Sequence, residues 1–188
     1  MTDQTLQKPL KPQTSVQFVT ELSSSDMNDL CDATDEAISA GGGFGWVRMP
    51  SRDILERYWQ GVLTMPARML FVARLDNVIC GTAQLITPPR NNEAQGLAVT
   101  LTTNFIAPWA RKHGLARMLL EEVETKALHE GYAVINLDVR ETLTSAIGLY
   151  ESMGYVRCGT HPYYARIDDK NIAGYYYYKM IDPVLLEE

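Results

Sequence analysis

The stretch that most restricts how this chain can fold runs over residues 99–131. It opens on the apolar, β-branched run Val99-Thr100-Leu101-Thr102-Thr103-Asn104-Phe105-Ile106, which predicts a strand. Ala107-Pro108-Trp109-Ala110 breaks that strand, because proline has no N–H to give to a ladder. The turn Arg111-Lys112-His113-Gly114-Leu115-Ala116 follows. After it Leu115, Met118, Leu119, Val123 and Ala127 form one helical stripe, with Glu121, Glu122, Glu124 and Lys126 opposite. Gly131 sits where a left-handed C-terminal residue belongs. A strand, a polar loop and a helix start make an anion site, since the first N–H groups of a helix have no intrahelical partner and the helix dipole favours negative charge. Gly114 lets the chain turn, and Ala116 keeps the next position small enough for a ligand to reach the main chain. Arg111, Lys112 and Arg117 place three positive charges within seven residues, and His113 adds another in acid.

This basic cluster stands in an acidic chain, with a net charge of −6. General nucleic-acid binding is therefore disfavoured, and local capture of a compact polyanion is expected. The loop has neither the Gly-x-x-x-x-Gly-Lys-Ser/Thr of nucleotide P-loops nor the Gly-x-Gly-x-x-Gly of dinucleotide folds. At 188 residues, with 46% hydrophobic and 21% charged, the chain suits one globular domain over residues 15–188 after a short lead-in, 1–14. No apolar run reaches the ~20 residues of a membrane span, and the polar start has no apolar signal core, which reads as a cytoplasmic protein. Cys31, Cys80 and Cys158 are odd in number and widely spaced, so each is expected to be a small buried residue rather than part of a disulfide or zinc set. His113, His129 and His161 have no metal-ligand spacing, and no metal is expected.

Around the central stretch the pattern predicts a strand over 15–22, a helix over 26–40 and a second helix over 51–64. Between the helices, Gly41-Gly42-Gly43-Phe44-Gly45-Trp46 is either a flexible connector or a loop over a substrate pocket walled by Phe44 and Trp46. Strands over 69–75, 78–87 and 97–106, the first two joined by Asp76-Asn77, imply an antiparallel meander. A strand over 133–139 after the crossover helix implies a parallel pair. A last helix begins at Thr144-Ser145, and strands over 155–157 and 175–180 flank a polar loop, 165–174. This is an α+β order. Apolar strand residues near 175–180, read as a sheet edge, point to a homodimer.

Two blocks carry a family resemblance. Arg111-x-x-Gly114-x-Ala116, preceded by Phe105-Ile106-x-Pro108, resembles the Gln/Arg-x-x-Gly-x-Gly/Ala motif of the GNAT superfamily of acyl-CoA-dependent N-acetyltransferases. Asp138-Val139-Arg140, followed by Ala146-Ile147-x-Leu149-Tyr150-Glu151-x-Met153-Gly154-Tyr155, resembles its later strand-and-helix block. The resemblance covers roughly residues 15–182 and implies a layered α/β/α fold. Its sheet would be mixed but mostly antiparallel, with about seven strands, one splayed parallel pair and about four helices. It also implies acetyl-CoA as co-substrate, held by the backbones of Phe105 and Ile106 along the pantetheine arm and by residues 111–117 at the pyrophosphate. The family's usual Asn before the last helix is Leu143 here, with Thr144 or Ser145 as its stand-in. Tyr150 occupies the position of the family's general acid, which protonates the departing thiolate.

Asp138 is an acid in an otherwise apolar strand, costly unless paired or at an exposed end. It shares a face with Val134 and Asn136, and is either a pocket carboxylate for the substrate ammonium or one bonded to loop amides. Ile135-x-Leu137-Asp138 followed by the helix Tyr150 is similar to the Leu-x-Leu/Ile-Asp element and helix Tyr of tabtoxin-inactivating acetyltransferases. The expected reaction is direct acetyl transfer in a ternary complex to a primary amine of a small molecule. The alternatives are an acyl-CoA-binding module without turnover and an enzyme acting on a protein N-terminus or lysine. Tyr163, Tyr164 and the run 175–178 are read as half-buried sheet residues, with one or two walling the acceptor site.

Overall fold

The computed structural model describes residues 11–42 and 45–184. Most of the expected lead-in and Phe44 as a pocket wall lie outside the described residues. Seven strands and four α-helices follow the order β1 (Thr14–Val19), α1 (Ser24–Ser39), α2 (Arg52–Thr64), β2 (Arg68–Leu75), β3 (Val78–Ile86), β4 (Ala98–Ile106), α3 (Leu115–His129), β5 (Val134–Arg140), α4 (Thr144–Ser152), β6 (Val156–Ile167) and β7 (Lys170–Met180). The strands form one sheet in the order β1-β2-β3-β4-β5-β7-β6. Only β4 and β5 run parallel, as the strand–helix–strand pattern requires. The first four strands are the antiparallel meander, extended by β1 on β2.

Local chemistry accounts for the boundaries. Ser23 caps α1 by accepting from the Asp26 N–H at 3.1 Å. Asp76 and Asn77 both adopt positive φ, the geometry of a primed two-residue hairpin turn. The sheet buries both faces: Leu70, Val72, Ile79 and Phe105 pack under α1 and α2, with Leu30, Leu55 and Trp59. On the opposite face Phe71, Leu85, Leu101, Ile135, Leu137 and Tyr177 pack with Leu115, Leu119 and Val123 of α3 and Tyr150 of α4.

Three expectations change. The segment 165–174 is not a polar loop. β6 runs on to Ile167, Asp168-Asp169 make a second positive-φ turn, and β7 starts at Lys170. Two acids at the turn and polar residues on an exposed arm imitate a loop's composition. Residues 175–180 are not a sheet edge: β7 inserts between β5 and β6, and β6 is the outer strand. Cys158 is exposed on that outer strand, while Cys31 and Cys80 are buried.

Candidate active site

The site begins where β4 and β5 part. Their pairing runs from Ala98 and Val134 to Leu101 and Leu137 and stops there, while β4 continues along β3 to Ile106. The β3–β4 register shifts between Thr82 and Gln84, and the extra residue falls on β4 at Thr103, whose φ is +51°. A β-branched residue in the left-handed region costs about 1–2 kcal/mol. The two flanking stretches of β3 pairing hold it there. This bulge bends β4 away from β5 and turns Asn104 towards the gap. The opening is a cleft of about 570 Å³, lined by Asn104, Asp138, Arg140, Leu143, Tyr150 and Tyr164 among others.

A second groove leads into the same gap. Phe105, Ile106, Ala116, Leu143, Thr144 and Ser145 line it. The side chains of Phe105 and Ile106 are buried in opposite cores, so this wall of the groove offers their main chain. Further out, Arg111, Lys112, Gly114, Leu115, Ala116 and Arg117 line the end of the groove. Among the described residues, the amides of residues 112–114 donate to no protein acceptor, and the first intrahelical bonds are those of Arg117 and Met118 to the Gly114 carbonyl, both 3.1 Å. Lys112 and Gly114 take φ values of +68° and +79°, which curl these amides around one point. A Cβ on Gly114 would meet nothing within 4 Å, so that side of the turn is open. Two basic side chains are committed elsewhere: Arg111 Nε donates to the Ile106 carbonyl at 3.2 Å, and Arg117 Nη2 to Ser152 Oγ at 2.8 Å. His113 is exposed and does not line the groove. A nest of unpartnered amides at a helix start, opening into a groove, fits a pyrophosphate and the arm attached to it.

Tyr150 is buried, with its ring edge-on to Tyr155 at 5.7 Å. Its hydroxyl accepts from Asn104 Nδ2 at 3.2 Å. Burial, with a smaller contribution from the Asp138 charge, raises its pKa above the ordinary 10.0. The phenol is therefore a neutral proton donor at physiological pH. Asp138 is exposed in the cleft, and the partner it takes is a phenol rather than loop amides: the Tyr164 hydroxyl donates to its Oδ2. Burial first, then this hydrogen bond, raises the Tyr164 pKa. The Tyr164 ring lies against Gly174 on the neighbouring strand, where any Cβ would collide with it. Arg140 lines the cleft and donates to the carbonyls of Gly41 and Gly42, so these two glycines border the site. Trp46 packs edge-on to Tyr58 of α2 at 5.1 Å and lines the cleft next to it.

The structure thus brings together Tyr150 and Asp138, and separately Phe105, Ile106, Ser145 and most of 111–117. Neither Asn104 nor Arg140 carried a site role in the sequence reading, although Thr102-Thr103-Asn104 is a polar triplet in an apolar strand, which is a bulge signal. Among the described residues no group of three or more His, Cys, Asp or Glu could hold a metal ion, and no helix is long and apolar enough to cross a membrane.

Comparison with known proteins agrees with this geometry. The family model for the acetyltransferase (GNAT) family matches residues 32–155. An uncharacterized N-acetyltransferase from the hisH-hisA intergenic region of Azospirillum brasilense is 61% identical over 128 residues, covering 68% of this chain and 76% of that protein. An N-acetyltransferase from Staphylococcus aureus Mu50 superposes with a TM-score of 0.77 at 15% identity, covering 90% of this chain and 99% of the other. The YncA protein of Salmonella typhimurium, solved with its cofactor acetyl-CoA, gives 0.73 at 15% identity over 90% of this chain and 95% of its own. With the splayed parallel pair, the amide nest at the start of α3 and a matching sequence relative, the chain belongs to the GNAT family of N-acetyltransferases.

Proposed function

We propose that this chain transfers the acetyl group of acetyl-CoA directly to a primary amine of a small molecule, both substrates being bound together. The observation that carries the reading is continuity: the amide nest at 112–114, the groove along Ile106 and Ser145, and the cleft holding Tyr150 and Asp138 share lining residues. The thioester brings an electrophilic carbonyl and a thiolate leaving group. The chain contributes the rest. The turn amides left free between Arg111 and Arg117 hold the pyrophosphate, and the main chain at Phe105 and Ile106, with Ser145 opposite, lines the arm. Tyr150 protonates the departing sulfur. Because its oxygen already accepts from Asn104, its own proton is left to point elsewhere. Asp138 receives the ammonium or its proton at Oδ1, which has no partner among the described residues, while Tyr164 occupies Oδ2.

A cleft of about 570 Å³ suits a small acceptor better than a folded protein segment. The proposal includes one catalytic unit over residues 15–188, a cytoplasmic location consistent with three free thiols, and a homodimer. Tyr176, Tyr178 and Met180 of β7 are each 40% or more exposed on a sheet face continuous with Val134, which no helix among the described residues covers. The test is thiol release from acetyl-CoA across a panel of small amines and peptides. Turnover with a small amine supports the reading. Turnover confined to peptide N-termini or lysines overturns the small-molecule part.

A further inference from the structure

We infer that the acceptor is an amino acid in the broad sense, a small amine that also carries a carboxylate, with its ammonium at Asp138 and its carboxylate at Arg140. This rests on the acetyltransferase reading of the same cleft and adds the substrate class.

Asp138 and Arg140 are two apart on β5 and lie on one face of it, so their Cα atoms are separated by about 6.6 Å at the usual strand rise. Both line the same cleft, and the third charged residue there, Arg166, is paired with Asp169 at 3.0 Å. Arg140 has no carboxylate within ion-pair distance among the described residues. Its bonds run from Nη2 to the Gly41 and Gly42 carbonyls, and among the described residues Nη1 and Nε have no acceptor. A guanidinium presents five donors in a planar fork that matches a carboxylate edge. Keeping such a cation partly buried without a counter-charge is costly, and a substrate anion supplies one. The desolvation is visible as a downward push on its pKa. The cofactor cannot be that anion in this geometry, since Arg140 lines neither the groove along Ile106 nor the phosphate turn. Opposite charges on alternate residues, at the end of a cleft holding the general acid, select a zwitterion over a bare amine.

The probe is a panel of free amino acids, each paired with its own carboxamide, assayed by thiol release with wild type, Arg140→Gln and Arg140→Lys. Wild type should favour the acids by about 10–100-fold in kcat/KM, the range of a charge-assisted pair. Arg140→Gln should lose that preference, the acids slowing far more than the amides, with acetyl-CoA affinity retained, and Arg140→Lys should fall between. A wild type indifferent to the carboxylate overturns the inference and leaves the acetyltransferase reading intact. So does an Arg140→Gln that slows acids and amides alike, the mark of a loop clamp. Absence of thiol release with every amine, despite acetyl-CoA binding by calorimetry, overturns the catalytic reading and this one with it.

Discussion

Replacing Tyr150 by phenylalanine removes one oxygen from a ring that is 5% exposed and keeps its packing against Tyr155 and Tyr177. The lost oxygen is the acceptor of the Asn104 Nδ2 bond. Asn104 lines the cleft, where water can take over, so the stability cost falls near the low end for an orphaned donor, about 1 kcal/mol. Set against the 5–15 kcal/mol of an ordinary domain, that leaves the variant folded. The kinetic effect is larger. A general acid typically contributes about 10²–10⁴-fold, equivalent to about 2.7–5.5 kcal/mol of barrier. Tyr150→Phe should therefore lose kcat in that range while thermal unfolding shifts little and acetyl-CoA affinity holds. The pH dependence adds a second readout. The acid form of Tyr150 is lost only as pH rises through a pKa raised above 10.0, so its contribution stays flat between pH 7 and 9. Steady-state rates of both proteins over that span, with calorimetry for acetyl-CoA, make the assay. A variant within about threefold of wild type, far below a general acid's contribution, refutes the role. So does a loss of affinity equal to the loss of rate, which would mean that the hydroxyl only binds.

Gly114→Val should weaken acetyl-CoA binding strongly while the fold survives: the new Cβ meets nothing within 4 Å and the side chain enters the open side of the amide nest, and its φ of +79° costs about 1–3 kcal/mol. Calorimetry showing unchanged affinity refutes the nest. Gly174→Ala should displace the Tyr164 ring and take its hydroxyl from Asp138, raising KM for the amine with little change in acetyl-CoA affinity. Equal damage to both affinities would refute that reading. Of the three thiols, Cys158 alone should react with a mild thiol reagent in the folded protein, Cys31 and Cys80 reacting only after denaturation. Burial pushes these two thiols from 9.0 up to about 11, so the folded state keeps protons there that the unfolded state releases. Their contribution to stability is present below pH 9.0 and is lost as pH rises towards about 11, which denaturant midpoints across that range will show.

Much of the architecture was decided by local rules. The β-branched run before Pro108, the Gly114 turn and the stripe of α3 needed only neighbours in sequence, and so did the Asp76-Asn77 hairpin and the alternation that puts Ile135, Leu137 and Val139 inwards and Asp138 outwards. Helix-start amides are left without intrahelical partners wherever a chain makes them, which is why the turn at 111–117 could be read as a candidate anion site from neighbours in sequence alone. Tyr150 and Asp138 were legible singly, one from a motif and one as an acid out of place. What tertiary structure alone decided were meetings between residues far apart in sequence. Asn104 reaches Tyr150 across 46 positions because a bulge at Thr103 turns β4, and Tyr164 of β6 reaches Asp138 of β5 across the intervening β7, where Gly174 leaves room for its ring. Arg140 meets Gly41 and Gly42 only once α1 is packed on the face of the assembled sheet. Propensity and periodicity act over a few residues, whereas register and strand order are chosen by burying whole faces together, and the acceptor cleft is assembled at that second level.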